Sequence, residues 1–130
     1  MTIEHIRLSQ PARDQLITLK RRTGITHWNV LCRWALCRSL AEPASPPTIR
    51  LVLDSSVEMT WRVFAGEFGD ALWALMRYRC HQDGLALDEE TLAQQFRLHL
   101  HRGIGYLVGD AQVMDLAGLA RLALAESATA

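Results

Sequence analysis

The sequence predicts a mainly helical protein: a single compact domain, residues 1–130, with a short N-terminal strand and a small β-hairpin. Three observations carry that expectation. Apolar residues recur at three- and four-residue spacing through most of the chain. Residues that start and stop helices, such as Ser9, Gly24 and Asp88, stand at the ends of those stretches. Finally, 130 residues, 49% of them hydrophobic and 22% charged, suit one ordinary core and leave no room for a second domain of normal size.

Ile3 to Leu8 alternates, with Ile6 and Leu8 on one side and His5 and Arg7 on the other, as in a half-buried strand. Ser9 is placed to cap a first helix, and Pro11 sits in its first turn, where a missing N–H costs nothing. Ala12, Leu16 and Leu19 mark the buried stripe of that helix. Lys20, Arg21 and Arg22 close it before Gly24, which suits a left-handed C-terminal cap. Thr26 is the expected N-cap of a second helix, whose stripe is Trp28, Leu31, Cys32, Ala35, Leu36 and Leu40. Glu42 to Pro47, with three prolines, ends it in a stiff connector inside the same domain.

Ile49–Leu53 and Val57–Phe64 have the composition of strands, joined into a hairpin by Asp54-Ser55-Ser56. Glu58–Phe64 is also compatible with a helix. Glu67 to His81 predicts a third helix on Ala71, Leu72, Leu75 and Met76, closed by Gly84. Asp88 caps a fourth, with Glu89 and Glu90 in the turn where the helix dipole favours carboxylates, and it runs through Leu92, Phe96 and Leu100 to about Val108. Gly103, Gly105 and Gly109 at its far end fit either close packing or fraying. A last helix, Met114 to Leu124, precedes a frayed tail from Ser127 to Ala130.

Three cysteines, an odd number, point to a reducing compartment rather than a disulfide framework. Met1 to Leu8 lacks the apolar core of a secretory leader, and the apolar run Ala71–Met76 is far short of a membrane span. The expected location is the cytoplasm. Chemistry-bearing patterns are sparse. Cys32 and Cys37 stand about 140° apart on a helix, His99 and His101 also splay, and Cys80-His81 has no second pair, so no metal is expected. The histidines are expected at the surface and the cysteines inside. There is no nucleophile elbow and no phosphate-binding loop, and Asp88, Glu89 and Glu90 are explained by their helix end. No catalytic residue and no cofactor is therefore assigned.

Charge is the stronger signal. The net charge is zero, yet residues 1–50 hold eight basic against three acidic residues and the rest of the chain is acidic by the same margin. Lys20, Arg21 and Arg22, with Arg7, Arg13, Arg33 and Arg38, are candidate phosphate contacts; solvated helix ends explain the same residues equally well. Arg33 and Arg38 lie on different sides of the second helix. A strand ending near Ser9 followed by two helices is also the layout of a ribbon-helix-helix dimer, in which His5 and Arg7 would face bases, as a repressor requires. Of four tryptophans, most are expected in core or interface packing rather than stacked on bases.

Long runs of the chain resemble one family. They are Arg7-Leu8-Ser9, Asp14 through Ile25, Trp28 through Ala35, Val57-Glu58-Met59-Thr60-Trp61, Asp88 through Leu92, and Gln95 through Gly103. Together they resemble the DndE family of DNA phosphorothioation systems, and the tail after Asp110 is the least diagnostic part. In those systems a sulfur replaces a non-bridging phosphate oxygen of DNA. The resemblance implies a non-catalytic, DNA-binding subunit that prefers nicked duplex and forms homo-oligomers, namely tetramers. Its implied partners are the other subunits, among them a cysteine desulfurase, an iron–sulfur sulfurtransferase-type protein and an ATPase. Lys20, Arg21 and Arg22 fall inside a matched run and lead the candidate DNA contacts, with Arg7, Arg13 and Arg33 behind them. A DNA-nicking subunit is the remaining alternative.

Overall fold

The computed structural model describes residues 3–129. The chain is mainly helical, with one small antiparallel sheet. Strand β1 (His5–Arg7) leads into α1 (Gln10–Thr23) and α2 (Trp28–Ala41). After an irregular connector come β2 (Glu58–Thr60) and α3 (Trp61–Ala65). A single 3-10 turn leads to α4 (Gly69–Gln82), then α5 (Glu89–Gly109) and α6 (Leu116–Thr129).

Local chemistry sets most helix ends. The Ser9 hydroxyl accepts the Ala12 N–H at 3.2 Å, satisfying one of the free donors that open α1. Gly24 closes α1 at φ 76°, a left-handed conformation that side chains disfavour, and its N–H returns to the Lys20 carbonyl. Asp88 starts α5 by accepting from Thr91 N at 2.8 Å. Thr60 does the same for α3 through Val63 N at 3.1 Å. Thr26, by contrast, does not cap α2: His27 holds that position, without a side-chain bond, because the helix begins one residue later.

The expected local hairpin is not formed. Ile49–Leu53 has no strand partner, and β2 pairs instead with β1, with Ile6 opposite Met59. Burial explains the choice. Ile6, Leu8, Val57 and Met59 are all buried, whereas Ile49 and Val52 are 57% and 60% exposed, so pairing β1 with β2 closes the core. The later half of the second expected strand, Trp61–Ala65, is helical. The last helix also starts two residues late and runs beyond Leu124 to Thr129, taking in most of the tail expected to fray; Ala130 lies outside the described residues.

Helix α5 is the axis of the packing, lying along α2 and against α1 and α4. Leu92, Phe96, Leu100, Ile104 and Leu107 of α5 share one core with Leu16 and Leu19 of α1 and Leu31 and Leu36 of α2. The contact with α2 is closest at Gly103, where a Cβ would fall 1.7 Å from the Ala35 carbonyl oxygen. Close packing, not fraying, therefore accounts for that glycine. Trp61, Trp73, Phe64 and Phe96 form an aromatic cluster with centroids 5.3–5.7 Å apart. Trp61 and Trp73 thus serve packing.

Candidate nucleic-acid interface

The last turn of α1 presents Lys20, Arg21 and Arg22, and each has a different environment. The Lys20 ammonium stands 3.4 Å from the centre of the Trp28 ring, a cation–π contact that fixes where its charge sits. Arg22 donates to the Val108 carbonyl at 2.8 Å, satisfying an otherwise free acceptor at the end of α5. Arg21 is exposed and makes no side-chain hydrogen bond or ion pair among the described residues.

Arg7 is committed elsewhere. Its guanidinium donates to the Ser55 carbonyl at 2.9 Å and to Glu58 at 2.7 Å, and the His5 ring lies 3.7 Å from the same carboxylate. Glu58 also lines a depression of about 240 Å³ with Lys20, His27, Trp28 and Asn29. Glu58, the ion-pair partner of Arg7, thus borders the same depression as Lys20. Strand β1 takes its partner from within the chain, unlike the strand of a ribbon-helix-helix dimer. Arg13 sits two turns back along α1 from Lys20, 3.6 Å from Asp14. Arg33 donates to the Phe64 carbonyl at 2.7 Å, one turn beyond Asn29, which donates to Val63. These two residues tie α2 to α3.

Two further arginines act as clamps that charge counting did not reveal. Arg79, buried in α4, pairs with Asp83 at 3.0 Å and donates to the carbonyls of Leu40, Glu42, Pro43 and Ala44. Arg102 donates to the Ser39 hydroxyl and carbonyl and to Ala44. Together they hold the C-terminal end of α2 and the start of the connector, whose carbonyls have no helical N–H to donate to them. A signal existed in the sequence: a helix stopped by Glu42-Pro43 must leave acceptors that a donor from elsewhere has to satisfy.

His99 lies inside this clamp. It is fully buried, with Nδ1 2.8 Å from the Ser39 hydroxyl, contrary to the expected surface position. It is buried because α5 is covered on several sides. Burial first, then the Arg79 and Arg102 charges, push its pKa down to about 4. His101, half-buried, is also shifted down by burial. Nε2 of His99 and Nε1 of Trp61 have no hydrogen-bond partner among the described residues. Of the thiols, Cys32 and Cys80 are buried and Cys37 is exposed. Burial raises the pKa of all three, that of Cys32 to about 12. Among the described residues no three His, Cys, Asp or Glu side chains gather as metal ligands, and no helix is long and apolar enough to cross a membrane.

The fold and this surface define a small helical protein in which Arg7, Arg22, Arg33, Arg79 and Arg102 bind its own carbonyls, while Arg21 at the end of α1 makes no such bond among the described residues. Comparison with known proteins names its kind. Residues 5–115 match the model of the family described as DNA sulphur modification protein DndE. The chain is similar to the crystal structure of DndE from Escherichia coli B7A, a protein involved in DNA phosphorothioation modification. The identity is 28%, the TM-score 0.67, and the match covers 82% of this chain and 98% of that one. A glycine-to-lysine mutant of DndE, 24% identical with a TM-score of 0.64 and the same coverage, shares the fold. No curated protein matches. The chain belongs to the DndE family.

Proposed function

We propose that this chain is the DNA-holding, non-catalytic subunit of a cytoplasmic DNA phosphorothioation machinery. In this reading it acts as one domain within a homotetramer, prefers nicked duplex, and scaffolds the iron–sulfur sulfurtransferase-type and ATPase subunits. Family membership supplies the process. The observation that carries the DNA-holding role is the last turn of α1, where Arg21 is exposed and, among the described residues, unpaired, beside a Lys20 held on Trp28. Such a turn contacts phosphates without reading bases, so binding is salt-sensitive and nearly independent of sequence. A non-catalytic role is supported by the Ser39–His99 pair, a hydroxyl beside an imidazole that is sealed in the core where no substrate reaches it. Three free cysteines support a reducing compartment.

The test is equilibrium binding of the purified protein to intact and singly nicked duplex of one sequence, at two salt concentrations. The expected result is tighter, salt-sensitive binding to the nicked form, lost when Lys20, Arg21 and Arg22 are replaced together by Ala. Absence of binding to both forms overturns the reading and leaves a purely protein-binding role. Unchanged affinity in the folded triple variant removes these residues as the contact.

A further inference from the structure

The connector between α2 and β2 carries a basic residue that none of the internal bonds uses. Residues 45–54 make no backbone–backbone hydrogen bond among the described residues, yet both ends of the segment are pinned. At one end Arg79 and Arg102 both donate to the Ala44 carbonyl, and Pro46 is buried. At the other end buried Ser55 donates its N–H to Leu8 and accepts from Arg7. Between these anchors the segment runs beside α5 and forms one wall of a cleft of about 260 Å³.

Arg50 from the connector and Gln94 and Arg97 from α5 supply the polar groups of this cleft; Leu51, Leu53 and Leu98 are among its apolar walls. No carboxylate lines it. Neither guanidinium has a hydrogen bond, ion pair or ring contact among the described residues, in a chain where Arg7, Arg22, Arg33, Arg79 and Arg102 are all engaged. On α5 itself the residues three and four away from Arg97 are Ala93, Gln94, Leu100 and His101, so no helical neighbour can neutralise it. Asp54 lines an adjoining cavity that Arg50 also borders.

Two forked donors and an amide lining one cleft, with no carboxylate among them, are a donor set that suits a tetrahedral oxyanion. Guanidinium groups match phosphate oxygens bidentately. We propose that the Arg50–Gln94–Arg97 cleft binds a phosphate group of nucleic acid, at a place separate from the basic turn of α1. The proposal rests on the DNA-holding reading above and adds a second contact to it. The phosphate has two possible sources, an internal phosphodiester or a terminal phosphomonoester.

The test compares wild type with Arg50→Gln/Arg97→Gln on short duplexes of one sequence, with and without a 5′-phosphate, over a range of salt. Neither side chain holds the fold together, and circular dichroism with a thermal melt checks that. Weakening on both duplexes, with the salt slope reduced by about two, supports a phosphodiester contact. Weakening on the phosphorylated duplex alone supports a terminal monoester. Unchanged affinity and slope in the double variant, while wild type binds, overturns the site and leaves the α1 reading intact. If wild type binds no duplex, the DNA-holding reading falls, and titration with inorganic phosphate decides the cleft: shifts of the Gln94 and Arg97 amide resonances support it and their absence overturns it.

Discussion

Lys20 and Trp28 meet where α1 turns into α2, the ammonium 3.4 Å from the ring centre. Gly24, left-handed at φ 76°, makes the reversal that brings them together. The contact leaves the neighbouring Arg21 as the free cation of the turn, because Arg22 is drawn inward to Val108. The three basic residues are therefore unequal.

That inequality predicts an order of effects on duplex binding. Arg21→Ala should weaken affinity most and lower the salt slope by about one, the signature of a lost phosphate contact. Trp28→Ala should have a smaller effect, by releasing Lys20 from its position. Arg22→Ala should act mainly on stability, since it strands the Val108 carbonyl, at about 1 kcal/mol. Salt-dependent anisotropy and urea unfolding on the three variants separate these outcomes. Equal losses of affinity in all three would contradict the division of roles.

Much of this was legible in the sequence where the determinants are local. Ser9, Pro11, Gly24 and Asp88 act on their own backbone within a few residues, and α1 and α5 begin where those residues place them. The β pairing was not legible, because alternation marks Val57–Met59 as half-buried without saying which strand it joins. Its partner Ile6 is 53 positions away. The site was legible only in part for a related reason. Counting cations found Lys20, Arg21 and Arg22, but a guanidinium's availability depends on distant carbonyls such as Phe64 for Arg33 and Val108 for Arg22. His99 misled because its spacing from His101 says nothing of how many helices surround α5.

The Arg79 clamp predicts a large stability effect far from the basic turn. Replacing Arg79 by Ala removes the donor to four carbonyls and leaves Asp83, itself mostly buried, without its cation. The expected loss is about 3–5 kcal/mol. Arg79→Lys should recover only a fraction, since one ammonium cannot span both the end of α2 and the Asp83 carboxylate. Urea unfolding measures both, and full rescue by lysine would show that charge alone matters there.

His99 predicts a pH dependence with a defined sign. Its folded pKa, about 4, lies below the ordinary value of 6.5, so the unfolded chain binds the extra proton between those limits. Its contribution is therefore full above pH 6.5 and is lost as the pH falls toward 4, on the order of 3 kcal/mol across the window. His101, shifted in the same direction, adds to the slope. Unfolding midpoints at pH 7 and pH 5 should differ clearly in wild type and less in His99→Gln. An equal acid loss in that variant would assign the effect to other groups.

Gly103 and Gly105, two of the three glycines of α5, predict effects of opposite sign from the same substitution. At Gly103 an added methyl would overlap the Ala35 carbonyl oxygen, a backbone atom that cannot swing aside, so α2 and α5 must separate. Gly103→Ala should cost about 1–3 kcal/mol or more through overpacking. At Gly105, two residues on, a Cβ meets nothing within 4 Å and the backbone is already helical. There alanine only removes unfolded-chain freedom and should stabilise by about 0.4–1 kcal/mol. Paired thermal melts measure the contrast. A shift of the same sign in both variants would mean that α5 does not rest on α2 at Gly103.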